Sequence, residues 1–341
     1  MAYNLNNHSR AVLAAHLLAS EVIGAGCDGP LSHTRPNWVN YLTLVGTHRG
    51  KNRVHLADAF CGMCGVRPPS IIPSLTLNEM DLPAGFSSFI SSNGIRVALV
   101  IGSGDVDRRI PLQMWEEWIR TFLTACPEGR VILIGGTGER ELTHTLLDRM
   151  PSLSMSRIWD ACGQTSLTQL ATILSQCTWV VGSDTGPLHL GVACGAKVQG
   201  FYFSRARVHE TGPYGHGHWV WQAETSNQYE IGEIEGVVVG EGTDSQTGNV
   251  SIKPDQWPIK ESVELLLTET CSSVIPEGWS LWSSHADDWG AYFIQYADSS
   301  REGVGEREQI WKTLHDKNVD WEAVREHMSM PTYSHVTEQT I

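Results

Sequence analysis

From Arg96 onward the apolar positions fall in short dense runs separated by longer amphipathic stretches. Arg96-Val-Ala-Leu-Val-Ile101 and Arg130-Val-Ile-Leu-Ile134 are strand-sized and apolar at nearly every position, as strands covered on both faces require. The pattern predicts strands at 96–101, 130–134, 157–159, 178–182 and 197–202, with helices at about 111–125, 138–149, 166–176 and 186–194 between and after them. Strands alternating with helices at this pitch imply an α/β domain, doubly wound, with a parallel sheet covered on both faces.

The flanks read less regularly. Apolar and small residues from Ser9 to Ala19 have helical spacing, and Gly24 to Pro36 has the composition of a loop. A second helix is predicted at about Arg53 to Cys64, where Val54, Leu56, Ala57, Phe60 and Met63 share a side, before the break at Pro68-Pro69. Pro68 to Ser92 reads as a connector. Beyond Gly212 the pattern weakens: Val237-Val-Val239 and Val250-Ser-Ile252 flank a glycine-rich stretch, predicting a hairpin or an exposed loop insert. Helices are predicted at 257–268 and 305–328, and the Trp-rich end (Trp279, Trp282, Trp289, Trp311, Trp321) reads as packing surface. The expected division is therefore 1–92, 93–235 and 236–341.

Composition narrows the partners. The 341 residues, 41% hydrophobic, suffice for two ordinary domains with separate cores. No apolar run approaches the ~20 residues of a membrane helix, and Met1-Ala2-Tyr3-Asn4-Leu5 lacks the basic region and apolar core of a secretory signal, so a cytoplasmic location is expected. A formal net charge of -14 argues against nucleic acid, which is gripped by clustered Lys and Arg. A small anion can still be held locally. Of the eight cysteines only Cys61-Gly-Met-Cys64 is closely spaced. Two readings stand for it: partly buried thiols, or a redox or metal pair.

The richest chemistry lies in Val180-Val-Gly-Ser-Asp-Thr-Gly-Pro-Leu-His-Leu190, where a strand ends and a helix begins with Pro187 in its first turn. Backbone N–H groups and a positive dipole end at such a junction suit a phosphate. Asp184 and Thr185 suit the cap, Gly186 permits close approach, and His189 stands about one turn in. The bland alternative is an ordinary capped helix with a buried His. Strand 96–101 ends in Gly102-Ser-Gly104 followed by Asp105, Asp107, Arg108 and Arg109; strand 130–134 ends in Gly135-Gly-Thr-Gly-Glu139, whose carboxylate can accept from ribose hydroxyls. Three glycine-rich strand ends on one parallel sheet converge where such sheets bind ligands.

Cys162-Gly-Gln-Thr-Ser-Leu-Thr-Gln-Leu-Ala171, Val181 to Leu190, and Thr211-Gly-Pro-Tyr-Gly215 resemble, in order and spacing, the donor-domain signatures of the bacterial heptosyltransferases of glycosyltransferase family 9. The resemblance, over roughly residues 1–220, implies a GT-B-like fold of two Rossmann-like domains with parallel sheets. It implies inverting transfer from an ADP-linked heptose or similar nucleotide sugar to a glycan or lipid-linked glycan acceptor such as the lipopolysaccharide core. No metal or other cofactor is implied, and at most peripheral contact with the inner face of the inner membrane. Carried onto this chain, the pattern puts Gly102, Ser103 and one of Arg108 or Arg109 at the diphosphate. Gly135 and Glu139 go to the ribose loop, Thr165 beside the base, and Asp184, Thr185, Gly186, Pro187 and His189 to the diphosphate and sugar. Family members begin with strands and an Asp-bearing loop, whereas Tyr3 to Leu13 resembles the fourth strand and following helix of their first domain, so the N-terminal domain is expected to be truncated. Candidates for a general base are then His8, Asp28, His33 and Asp58, each with a structural alternative, and Arg49, Lys51 and Arg53 could meet a phosphorylated acceptor or form a solvated charge run. A binding protein that holds the nucleotide without a base is the rival function.

Overall fold

The computed structural model describes residues 1–6, 8–29, 32–34, 37–47, 49, 52–70, 75, 77, 82–91, 93–223, 252–296 and 304–314, apart from the side chains of 27–29, 32–34, 47 and 304. The chain forms two compact units, 1–70 with 286–292 and 300–341, and 71–285 with 293–299.

In the first unit, β1 (Ala2–Asn4) runs parallel to β2 (Val22–Gly24) and is joined to it by α1 (Ser9–Leu18). Gly24, at φ +99°, is required twice over: a side chain there would be strained, and its Cβ would lie 2.2 Å from the Asn4 carbonyl oxygen. An antiparallel ribbon, β3 (Gly26–Gly29) with β4 (Ser32–Thr34), and two helices, α2 (Asn37–Thr47) and α3 (Leu56–Met63), follow. The long loop expected at 24–36 thus includes paired strands. Their Gly, Asp and Ser residues carry no alternation of apolar and polar positions, so pairing is invisible to pattern. Trp38, Tyr41 and Val45 bury one side of α2, a helical spacing masked by its aromatic and β-branched content.

The second unit begins with the short α4 (Phe86–Phe89) and then alternates as the sequence predicts: β5 (Arg96–Val100), α5 (Leu112–Ala125), β6 (Arg130–Ile134), α6 (Arg140–Asp148), β7 (Ile158–Asp160), α7 (Leu167–Ser175), β8 (Trp179–Ser183), α8 (Gly186–Ala193) and β9 (Lys197–Tyr202). Four residues of helix, α9 (Val208–Thr211), lead to β10 (Trp219–Ala223), which pairs parallel to β9. After the undescribed stretch come α10 (Ile259–Thr268) and the strands β11 (Trp279–Asp287) and β12 (Gly290–Gln295). One eight-stranded sheet results, in the order β12-β11-β10-β9-β8-β5-β6-β7, parallel from β10 to β7 with β11 antiparallel to β10.

Alternate residues of the buried strands face opposite helical layers. Val97, Leu99, Val131, Leu133 and Val181 pack with Trp115, Trp118 and Phe122 of α5 and Val263 and Leu266 of α10. Ala98, Val100, Ile132, Ile134 and Val180 pack with Ile173 and Leu174 of α7 and Leu188 of α8. Covering both faces is why these strands are almost wholly apolar.

The Trp-rich end is partly sheet rather than packing surface alone, since Trp279 and Leu281 enter the core on β11. The chain's last described element, α11 (Val304–Leu314), belongs to the first unit. Its Ile310, Trp311 and Leu314 share a core with Val12, Trp38, Val45 and Met63. The hairpin expected at 237–252, apart from Ile252, and the rest of the helix expected to reach 328 lie outside the described residues, as does Lys51.

Candidate functional site

The sheet leaves β5 toward β6 and β7 on one side and returns to β8, β9 and β10 on the other, so the strand direction of travel reverses between β5 and β8. Ligands of open parallel sheets bind outside the carboxyl ends of the strands at such a point. The loop after β5 and the loop after β8 flank it here.

Asp184, buried at the end of β8, is the hub. Its Oδ2 accepts from Arg108 Nη1 at 3.2 Å and from the Thr211 hydroxyl at 3.0 Å, and its Oδ1 lies 3.5 Å from His189 Nε2. Arg108 Nη1 also donates to the Asp184 carbonyl at 3.2 Å. The guanidinium therefore crosses from the β5 loop to the start of α8. Arg108 is set there by a single turn of 3-10 helix, Val106–Arg108, which the Asp105 carboxylate caps by accepting from Asp107 N.

The N-terminus of α8 keeps its polar character. Pro187 occupies its first turn, and no side chain caps it: the Thr185 hydroxyl turns back to donate to the Ser183 carbonyl at 3.2 Å. Pro187 has no N–H and Leu188 N donates to the Thr185 carbonyl at 3.1 Å, so the helix start offers an anion the Gly186 amide and the dipole. Behind it, Gly182 allows β8 to lie against β5, since a Cβ would sit 2.7 Å from Val100 Cβ.

Arg109 points elsewhere. Its Nη2 lies 3.7 Å from Glu139 Oε1, while Glu139 Oε2 accepts from the Gly136 N–H at 2.8 Å. Glu139 also covers Gly102 so closely that a Cβ on Gly102 would be 2.4 Å from Glu139 Cγ. One carboxylate thereby ties the β5 loop to the β6 loop. The β7 loop joins through Gly163, whose N–H donates to the Gly135 carbonyl at 2.8 Å, and a Cβ on Gly135 would meet Cys162 Sγ at 2.7 Å. Burial first, then the carboxylates of Asp160 and Glu139, push the Cys162 thiol up to about 11, so it stays protonated at neutral pH. Thr165 is half-buried just before the Ser166 cap of α7, and Ser103 is buried with its hydroxyl accepting from Asp105 N at 3.4 Å.

The structure therefore gathers Gly102, Ser103, Arg108, Arg109, Gly135, Glu139, Thr165, Asp184, Thr185, Gly186, Pro187 and His189 at the carboxyl ends of neighbouring strands β7, β6, β5 and β8. Thr211 joins them from the end of α9, and only its place in Thr211-Gly-Pro-Tyr-Gly215 marked it in the sequence.

The base candidates are in the first unit, and those with described side chains are engaged. His8 Nδ1 caps α1 by accepting from Arg10 N at 3.2 Å. Asp58 is buried and its Oδ2 accepts from Ala291 N at 2.9 Å. Another histidine, His55, caps α3 through Ala57 N at 3.1 Å. Asp58 is thus corrected from candidate base to structural anchor, because its carboxylate is buried and its Oδ2 is engaged by a backbone amide. Asp28 and His33 fall on β3 and β4, and their side chains lie outside the described residues. Among the described residues no group of three or more His, Cys, Asp or Glu is placed to hold a metal ion, and no helix is long and apolar enough to cross a membrane. Burial, aided by Asp58 and Cys64, raises the Cys61 thiol.

An open parallel sheet with a strand-order reversal, glycine-rich strand ends and an uncapped helix start defines a Rossmann-type α/β domain. The model of glycosyltransferase family 9 (heptosyltransferase) matches residues 59–235, and the chain belongs to that family. Among solved structures it resembles the ADP-heptose LPS heptosyltransferase II of E. coli, with 17% identity over 78% of this chain and 76% of that one and a TM-score of 0.51. It is also similar to a glycosyl transferase family 9 protein of Veillonella parvula, with 22% identity over 64% of this chain and a TM-score of 0.48; the match spans 61% of that protein. No curated protein matches the chain. Its α/β fold is that of the GT-B-like glycosyltransferases.

Proposed function

We propose that this chain transfers a sugar, with inversion, from a nucleoside diphosphate donor to a glycan or lipid-linked glycan acceptor. The donor is an ADP-linked heptose, as in the family relative from E. coli. The observation that carries the reading is the Arg108–Asp184 bridge beside the uncapped start of α8, at the point where the strand order reverses.

The two adjacent arginines divide the work. Arg108, held against Asp184, takes the diphosphate together with the Gly186 amide and the helix dipole. Arg109, held by Glu139, belongs to the ribose side, where the remaining lone pairs of Glu139 accept from sugar hydroxyls. Thr165 lies beside the base. When an acceptor hydroxyl attacks the anomeric carbon, a new C–O bond forms as the bond from that carbon to the diphosphate oxygen breaks. The hydroxyl proton passes to a general base for which Asp28 and His33 remain the candidates, and the negative charge that grows on the leaving diphosphate is met by Arg108, the Gly186 amide and the helix dipole. His189 donates a hydrogen bond at that site. The reading needs no metal: one fixed cation and a helix end supply the positive charge. The acceptor is met in the cytoplasm at the inner face of the inner membrane, with at most peripheral contact.

Calorimetric titration with ADP, UDP and GDP tests the proposal. ADP is expected to bind tightest and Asp184→Ala to weaken it; indifference to all three refutes the reading. A binding-only protein is favoured by one observation, that His8 and Asp58 are committed to backbone hydrogen bonds. ADP release from ADP-heptose in the presence of acceptor separates the two, since a binding-only protein releases none.

A further inference from the structure

We infer that Thr211 is a positioning residue for the diphosphate site, acting through Asp184 on Arg108 without touching the ligand. The inference rests on the reading above and assigns it a part that neither glycine pattern nor charge marks.

Asp184 Oδ2 is shared by two donors, Thr211 Oγ1 at 3.0 Å and Arg108 Nη1 at 3.2 Å. A hydroxyl has one proton, and the other acceptor within reach, the Arg207 carbonyl, is 3.5 Å away, so the Thr211 proton goes to Asp184. A carboxylate's terminal torsion is broad and roughly two-fold, and nothing in a strand end fixes it. The Thr211 hydroxyl, carried by the segment after β9, the neighbour of β8 on the flank away from β5, fixes it here. With Oδ2 turned to Arg108, Oδ1 is left facing His189.

Thr211 itself is held from two sides. The buried Tyr202 hydroxyl donates to the Thr211 carbonyl at 2.6 Å. On the other side Gly212 lies so close to Phe293 that a Cβ would be 2.3 Å from the ring and 2.5 Å from the Val208 carbonyl oxygen. Tyr202 resists ionisation, raised well above its ordinary value by burial and then by Asp184, so it remains a donor across the working pH range. The chain Tyr202, Thr211, Asp184, Arg108 thus runs from the sheet core to the cation, each member fixing the next. Orientation of that cation before the ligand arrives removes ordering cost from binding.

The test uses the full chain with Thr211→Val, which keeps the shape and removes the proton, and Thr211→Ser, which restores it. Thr211→Val is expected to weaken ADP binding about tenfold while adenosine binding is unchanged, and Thr211→Ser to stay within about threefold of the parent. In an Arg108→Lys background the Thr211→Val step costs less than about threefold, because the geometry it supports is already lost. Thr211→Val binding ADP like the parent, Thr211→Ser failing as badly as Thr211→Val, or full additivity with Arg108→Lys would overturn the inference alone. A parent that binds no ADP overturns the site reading and this inference with it. Thermal melting of each variant separates misfolding from loss of the site.

Discussion

Replacing Arg108 and Arg109 one at a time separates two neighbours that sequence alone treats as equivalent. In Arg108→Gln the charge-assisted contact to a bound diphosphate disappears, and Asp184 Oδ2 keeps only the Thr211 proton. A hydrogen bond to a charged partner is worth about 1.5–3 kcal/mol, which converts to about 10- to 150-fold in affinity. Arg108 is 30% exposed, so solvent screening puts the expected loss in the lower part, about 10- to 50-fold for ADP. Adenosine has no phosphate and should bind Arg108→Gln as it binds the parent. Arg109→Gln instead frees Glu139, which keeps its bond from Gly136 N, so ADP and adenosine should weaken together, by about threefold. Calorimetry for ADP and ligand-observed NMR for adenosine give the four comparisons. The division of labour is refuted by an Arg109→Gln loss larger than that of Arg108→Gln, or by equal loss of ADP and adenosine in Arg108→Gln.

Further outcomes follow from single contacts. Gly102→Ala drives a methyl group into Glu139; the carboxylate must leave Gly136 N and Arg109, and nucleotide affinity should fall about tenfold with little change in the melting temperature. Asp58→Asn keeps an oxygen for Ala291 N and should retain stability and any transfer activity, whereas Asp58→Ala should destabilise by about 1–3 kcal/mol in urea unfolding; loss of activity in a stable Asp58→Asn would restore Asp58 as a base. Burial, then the charges of His216 and Lys197, lower the His218 pKa to about 4, and its Nδ1 accepts from Val198 N at 3.2 Å. The unfolded chain therefore binds the extra proton first: this contribution is complete above about pH 6.5, is lost as pH falls toward 4, and amounts to about 3 kcal/mol. Urea unfolding of the parent at pH 7 and pH 4.5 should show that slope and His218→Asn should flatten it; equal slopes would count against it.

Physics explains which parts of the molecule the sequence discloses. The parallel strands β5, β6, β8 and β9 are legible because burial on both faces demands continuous apolar runs, and their glycine-rich ends follow from backbones that must approach one another. The hairpin β11–β12 is not, because Trp279-Ser-Leu-Trp-Ser-Ser-His breaks the two-residue alternation at Leu281-Trp282 and at Ser283-Ser284. Asp287-Asp-Trp-Gly290, with Gly290 at φ +101°, was the turn signal available. Site residues were legible as types and places but not as partners. That Glu139 folds back over Gly102, or that Arg108 rather than Arg109 reaches Asp184, depends on a one-residue difference in direction after a 3-10 turn. Asp58 shows the same limit at long range: its partner Ala291 is 233 positions away, so nothing near Asp58 in the sequence marks its carboxylate as engaged.

A crystal structure of the full chain with ADP tests the central claim most directly. The β-phosphate is expected within hydrogen-bond distance of the Gly186 amide and the Arg108 guanidinium, with the ribose hydroxyls toward Glu139. Phosphate oxygens lodged away from the start of α8, with Arg108 still paired only with Asp184 and Asp105, would contradict it.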